Sequence, residues 1–241
     1  MSEKPTSTEA RPAGAEMQPV RLSSLQVRRI YDRLAPAYDG LTTAFESRAR
    51  ARVLELVGRN GDRRILEVAV GTGAAFAQIL GLNAGGLTVG LDLSSKMLTR
   101  AAARAHRSGN ASHLLLQAEA RRLPFPADSF DVVTNSYMLD LLPVQGIREV
   151  LYEYKRVLRP GGRVVLVNMT QSRSWLSRAW EWLYKRSPSL LAGCRAVFAA
   201  PFLEELGFEG VRREVVSQLS FPSEILEATK PKARPAAPAE A

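Results

Sequence analysis

The chain is poor in the residues that disulfides and most metal sites require. Among its 241 residues there is one cysteine, Cys194, and there are two histidines, His106 and His113. A lone cysteine excludes an intramolecular disulfide and suits a reducing compartment. With so few thiols and imidazoles a structural zinc site is not expected, nor any other metal. No apolar run of about 18 residues occurs, so no membrane-spanning helix is expected. Ser2 to Gln18 is polar, carries three glutamates, and lacks the basic-then-apolar order of a secretory signal. Charge is less balanced: 33 Lys and Arg against 24 Asp and Glu give a formal +9. Such a surplus suits nucleic acid, an acidic membrane or plain solubility, and does not choose among them.

What the chain does have is a sharp transition at Ile65-Leu66-Glu67-Val68-Ala69-Val70-Gly71-Thr72-Gly73-Ala74-Ala75-Phe76. An apolar run rich in β-branched residues stops at two glycines, and small apolar residues resume. That order predicts a buried strand, a tight turn and the first turn of a helix. Glycine there lets backbone N–H groups approach a ligand closely.

Met1 to Pro19, rich in Ser, Thr, Pro, Ala and Glu, is expected to be a disordered tail. Helical periodicity then runs from Val20 to Leu34, with Arg21, Arg28, Arg29 and Arg33 interspersed, and again from Thr43 to Val57. Ala37-Tyr38-Asp39-Gly40 reads as the turn between them. Beyond the glycines, a helix is expected to Leu82 and a strand over Leu87–Asp92. Ser94-Ser95 caps a helix that ends at Gly109. Further strands follow at Leu114–Glu119, Phe130–Asn135 and Arg163–Asn168, with a helix over Val144–Leu158 and a turn at Arg159-Pro160-Gly161-Gly162. Pro201–Phe208 reads as a short helix, and two strands, Val211–Leu219 and Ser223–Thr229, close the sheet as an antiparallel edge. This alternation predicts a doubly wound, Rossmann-like α/β fold of seven mostly parallel strands, with an N-terminal helical lid. The domain is expected over 20–229, with its lid at 20–58, an insertion at 170–200 and a second disordered tail at 230–241. Ligands of such sheets bind beyond the carboxyl ends of the strands, where Glu67, the two glycines, Asp92, Glu119 and Asn135 all fall.

A dinucleotide site wants a third small residue, but Phe76 stands there, and no lysine follows the glycines as a triphosphate loop demands. Glu67, just upstream, would repel a pyrophosphate and tolerate a cation. Glu67-x-Ala69-x-Gly71-x-Gly73 resembles the first motif of the class I S-adenosylmethionine-dependent methyltransferases, with Ala69 in place of the usual first glycine. Asp92 is similar to that family's ribose-binding acid. Gln117-Ala118-Glu119-Ala120 with Leu123-Pro124-Phe125 and Ser129-Phe130-Asp131 resembles the adenine segment, Glu119 replacing the usual aspartate. Glu149, then Arg156-Val157-Leu158-Arg159-Pro160-Gly161-Gly162, resembles the helix and turn before strand five. Tyr31-Asp32-Arg33-Leu34-Ala35-Pro36-Ala37-Tyr38-Asp39 resembles the opening of the quinone-biosynthesis C-methyltransferases and the bacterial phospholipid N-methyltransferases.

The resemblance implies S-adenosylmethionine as cofactor, held by Tyr38, Glu67, Ala69, Gly71, Gly73, Asp92, Leu93, Met97, Glu119, Ala120 and Asn135. Tyr38 is expected to close over the methionine end. Asn135, Ser136 and Asp140 follow strand four, where this fold places substrate-facing groups. Asp140 stands where many relatives carry a histidine. It is read either as a group that accepts or orients a substrate proton or as a helix cap. The expected acceptor is small and hydrophobic or lipid-like, a quinone precursor or a phospholipid headgroup. A soluble metabolite and a non-catalytic cofactor-binding subunit stay open as alternatives, while nucleic acid is not expected for want of an RNA-binding module.

Trp175 to Arg186 gathers all three tryptophans within eight positions. It reads either as a lid helix packed on the domain or as a helix in an anionic membrane interface, alongside the basic Val20–Leu34 stretch. The protein is expected to be cytoplasmic, and the second reading makes it peripheral on the inner face of the membrane. The sequence leaves oligomeric state open.

Overall fold

The computed structural model describes residues 24–34, 38–58, 62–109, 112–170, 195–218 and 221–232. Two helices lead, α1 (Ser24–Leu34) and α2 (Tyr38–Val57). The alternating body follows as β1 (Arg64–Val68), α3 (Ala74–Leu82), β2 (Leu87–Asp92), α4 (Ser95–Arg107) and β3 (His113–Gln117). Then come β4 (Phe130–Ser136), a short 3-10 turn (Leu139–Leu141), α5 (Val144–Val157) and β5 (Leu158–Met169). The chain closes with α6 (Ala200–Glu205), β6 (Glu209–Gln218) and β7 (Phe221–Thr229).

The seven strands form one sheet in the order β3-β2-β1-β4-β5-β7-β6. Strands β1 to β5 pair in parallel, and β7 enters antiparallel between β5 and β6, so the β7–β6 pair makes the antiparallel edge. Neighbouring residues of a strand point to opposite faces, and here both faces are buried. Leu66, Val133, Leu166 and Leu226 pack beneath α5 with Ile147, Leu151 and Tyr154. Ile65, Val132, Val165, Val167 and Ile225 pack beneath α2 with Ala49, Val53 and Val57. That two-sided burial explains the nearly unbroken apolar runs of the central strands.

Three sequence boundaries shift. Tyr38-Asp39-Gly40 is not a turn but the start of α2; a proline just upstream of a helix start is compatible with that geometry. The turn Arg159–Gly162 lies inside β5 as a register shift between Phe130 and Val132, with Gly161 at φ 78°. Lys230 does not begin a loose tail. Its N–H donates to the Gly162 carbonyl, its carbonyl accepts from Gly161 N–H, and its ammonium reaches Asp128 and the Leu158 carbonyl. The bulge of β5 therefore holds the end of β7. The tail expected at 1–19 and the tryptophan segment Trp175–Arg186 lie outside the described residues.

Candidate functional site: a cleft at the ends of β1, β2 and β4

Beyond β1 the backbone turns through three left-handed residues, Ala69 at φ 60°, Gly71 at φ 54° and Gly73 at φ 80°. A left-handed alanine costs roughly 1–2 kcal/mol through its Cβ, so Ala69 carries strain in the backbone. The turn is held on several sides. Val70 N–H donates to the Leu91 carbonyl at 3.0 Å, Gly73 N–H to Val70 at 2.9 Å, and Arg104 of α4 reaches the Thr72 hydroxyl at 3.2 Å. Gly73 serves packing: a Cβ there would lie 2.7 Å from the Ala101 Cα. It brings α3 against α4 and does not line the cleft.

Asp92, at the end of β2, joins the two sides of this turn. One carboxylate oxygen accepts from Gly71 N–H at 2.9 Å and the other from Ser94 N–H at 2.8 Å. Burial pushes the Asp92 carboxyl above its ordinary range, and hydrogen bonds from the Ser94, Gly71 and Leu93 backbone pull it back. Ser94 caps α4, its hydroxyl accepting from Met97 N–H at 3.2 Å and meeting the Asp32 carboxylate of α1. The first helix is thereby latched to the loop that carries Asp92. Gln117, the last residue of β3, donates to the Leu93 carbonyl at 2.9 Å.

The loop after β3 carries the third side. Arg156 of α5 pins it by donating to the Phe125 carbonyl at 2.7 Å and the Leu123 carbonyl at 3.0 Å, while Glu153 accepts from Leu123 N–H at 2.8 Å. The Arg156 guanidinium holds the Glu153 carboxyl below the usual carboxylate range. Glu119 stands at the exposed rim in an ion pair with Arg121.

These elements enclose an open cleft with a largely apolar lining, as small-ligand sites have. Of the residues expected from sequence, Ala69, Gly71, Asp92, Leu93, Met97, Glu119 and Ala120 line it. Tyr38 begins α2, and its side chain is outside the described ones.

Three expected residues sit behind the wall. Glu67 is 4% exposed, and burial together with the Asp92 charge pushes its carboxyl up to about 8. It is largely neutral near pH 7, so the expectation of an open negative charge there is corrected. Asn135 is fully buried and donates to the Val68 carbonyl at 2.8 Å, tying β4 to β1. Asp140 is also fully buried, because the 3-10 turn folds back on β5 and its carboxylate accepts from Met169 N–H at 2.9 Å. It is not among the residues lining the cleft.

Sequence reading missed Val27 and Tyr31 of α1, and Tyr137, Met138, Leu141 and Leu142 after β4, all of which line the cleft; Ser136, the last residue of β4, which it did place facing substrate, lines the cleft with them. Tyr137 sits at φ 53°, a strained value for a tyrosine that no local sequence pattern announces. Its hydroxyl meets Ser223 at 2.7 Å.

The donor set fits an adenosyl sulfonium. Arg121 is the one cation among the lining residues and is already paired with Glu119, whereas Asp92 brings an acid to the turn. Among the described residues Arg104 meets the turn at the Thr72 hydroxyl, and it does not line the cleft. Val68, Leu91, Met97 and Val150 supply apolar surface for a purine. No cluster of metal-binding side chains occurs among the described residues.

A methyltransferase-domain family matches residues 65–162. The chain is 31% identical over 180 residues to the demethylmenaquinone methyltransferase of a Roseiflexus species, covering 73% of each. It is 35% identical over 138 residues to the nocamycin O-methyltransferase of Saccharothrix syringae, spanning 57% of this chain and about half (49%) of that one. Among solved structures it superposes with TM-score 0.69 and 17% identity on the phosphoethanolamine N-methyltransferase 2 of Haemonchus contortus bound to S-adenosylhomocysteine, covering 89% of this chain and 62% of the other. The chain belongs to the class I S-adenosylmethionine-dependent methyltransferases, in the group of the quinone-biosynthesis C-methyltransferases.

Proposed function

We propose that the protein transfers a methyl group from S-adenosylmethionine to a hydrophobic acceptor of the quinone-precursor kind. The observation that carries this is Asp92, whose carboxylate is fixed by Gly71 N–H and Ser94 N–H at the mouth of an apolar cleft. An acid so placed keeps lone pairs for two ribose hydroxyls. In this reading Gly71 and its turn take the amino-acid end, Leu93, Met97 and Ala120 flank the adenine, and Tyr38 closes over the methionine end. The demethylmenaquinone methyltransferase relative supports a quinone acceptor over a phospholipid headgroup.

The cofactor, when bound, supplies a methyl group activated on a positive sulfur. The protein's share is alignment and exclusion of water, which α1 serves through Val27 and Tyr31 and through its Asp32 latch on Ser94. Calorimetry should detect both S-adenosylmethionine and S-adenosylhomocysteine, and labelled methyl should pass to demethylmenaquinone in detergent. Absence of binding by both cofactor forms would overturn the reading.

No described helix is long and apolar enough to cross a membrane. Contact with an anionic surface through Val20–Leu34 and Trp175–Arg186 forms part of the proposal, as a means of reaching a lipid-soluble acceptor. Flotation with anionic but not neutral vesicles is the expected result, and no flotation with either removes this element.

A further inference from the structure

A second group of polar side chains lies behind the cleft wall, at the carboxyl end of β5. Asn168 and Thr170 belong to that strand and the residue after it, Glu224 to β7, Asp140 to the 3-10 turn, and Arg195 to the chain entering α6. All five are 2% exposed or less. Asn168 stands opposite Glu224 in the β5–β7 ladder, so their side chains share one face. Alternation along the strands makes it the face of Leu166 and Leu226, beneath α5. Asp140 reaches the same strand end through its hydrogen bond from Met169 N–H.

Buried polar atoms are nearly always partnered. Here Asp140 Oδ1, Glu224 Oε1, Thr170 Oγ1 and both ends of the Asn168 amide have no partner among the described residues. Asn168 and Glu224 are opposed and complementary, yet they are not bonded to each other. These atoms are dispersed over separate elements and converge at one strand end, which is the arrangement of a site rather than of a packing fault.

The charges constrain what it takes. Arg213 pairs with Glu224, and Arg195 offsets Asp140. A phosphate would meet two carboxyls, and a fixed cation would meet two guanidinium groups. The unmet atoms comprise an amide donor, three acceptors and a hydroxyl, and a ligand hydroxyl both donates and accepts. Burial raises both the Asp140 and Glu224 carboxyls, which favours neutral partners further. The cluster is one turn from the cleft: Leu141 and Leu142 line the cleft, Asp140 lies on the other side of that turn, and Arg195 holds the Leu142 carbonyl at 2.6 Å.

We propose that this cluster seats the hydroxyl-bearing end of the methyl acceptor, a neutral phenol or quinol rather than a phosphate ester, reached when Leu141 and Leu142 give way. The proposal rests on the methyltransferase reading above.

The test is calorimetry on the full chain saturated with S-adenosylhomocysteine, under anaerobic conditions. The probes are 1,4-naphthalenediol, 1,4-dimethoxynaphthalene and phosphoethanolamine. The diol should bind at least tenfold more tightly than its dimethyl ether, and phosphoethanolamine should not bind. Asn168→Leu and the near-isosteric Thr170→Val should each cut the diol preference several-fold while S-adenosylhomocysteine affinity stays within twofold, which certifies the fold. Equal binding of diol and ether, a preference that survives both substitutions, or tighter binding of phosphoethanolamine overturns the proposal. Failure of S-adenosylhomocysteine to bind the parent protein defeats the cofactor reading instead, and the present one with it.

Discussion

At the end of β2 the acid Asp92 is met by two backbone amides, while at the ends of β5 and β7 buried oxygens and an amide meet nothing described. The first region is complete before any ligand arrives. Its donors come from backbone that the glycine turn and the Ser94 cap hold in place, so little ordering remains to be done on binding. The second region is built from side chains of separate elements whose hydrogen-bonding capacity is unfilled. One half of the site is preorganised for a constant cofactor and the other is left for a ligand to complete.

The sharpest way to break this contrast is to spoil the preorganised half. Gly73→Val places a branched side chain at φ 80° with its Cβ 2.7 Å from the Ala101 backbone. Backbone strain and overpacking together should cost about 3 kcal/mol or more. Urea unfolding should show the loss, and S-adenosylhomocysteine binding should vanish. Next in size is Asp92→Ala, which deletes the acceptor of both amides. Removing a charged hydrogen-bonding partner costs about 1.5–3 kcal/mol, or roughly tenfold to a hundredfold in cofactor affinity. Asn168→Leu should leave that affinity untouched. If the two variants weaken cofactor binding equally, the division into halves fails.

Glu67 lies beneath the preorganised half, and its protonation tests how dry that half is. Its folded carboxyl sits near 8 against 4.5 for an ordinary glutamate, so the folded state keeps a proton that the unfolded chain releases. Stability from this group is full below about 4.5 and drains as pH rises towards 8. Denaturant titrations at pH 6 and pH 9 should therefore show a fall in the parent that is reduced in Glu67→Gln. The difference between the two proteins isolates Glu67 from Asp92, Glu46 and the other raised acids. An identical fall in both would mean that water reaches Glu67.

The two halves also differ in how far the sequence discloses them. The cofactor half is written in one continuous grammar: a β-branched strand, two glycines, and acids at successive strand ends. Local pattern and the resemblance it carries therefore reach the cleft at Gly71, Asp92, Leu93, Met97 and Ala120, and pattern also yields the mostly parallel sheet with its antiparallel edge. It misplaces Glu67, Asn135 and Asp140, because a strand-end position does not tell whether a side chain faces the cleft or the core. Tyr31 escaped because its role depends on where α1 docks, through Asp32 on Ser94. The second cluster was invisible for the same reason at larger scale. Asp140, Asn168, Arg195 and Glu224 come from four segments spread across 85 positions, and only the β5–β7 register and the fold-back of the 3-10 turn bring them together.

The smallest effect belongs to the rim, where Glu119 tests whether position alone makes an acid important. The sequence resemblance puts it in the place of the family's adenine-contacting aspartate, as it puts Asp92 in that of the ribose acid. Yet its side chain is 46% exposed and its charge is spent on Arg121, itself 40% exposed. Exposed pairs of this kind are worth at most about 1 kcal/mol, and water competes for any bond to the adenine amino group. Glu119→Gln should lower S-adenosylmethionine affinity no more than about fivefold, that free energy taken as a ratio, with the loss shrinking further as salt screens the rim. Affinities measured by calorimetry at low and high salt would decide it. A loss as large as that of Asp92→Ala would mean that ligand binding strips Glu119 from Arg121 and buries it, making the rim part of the preorganised half after all.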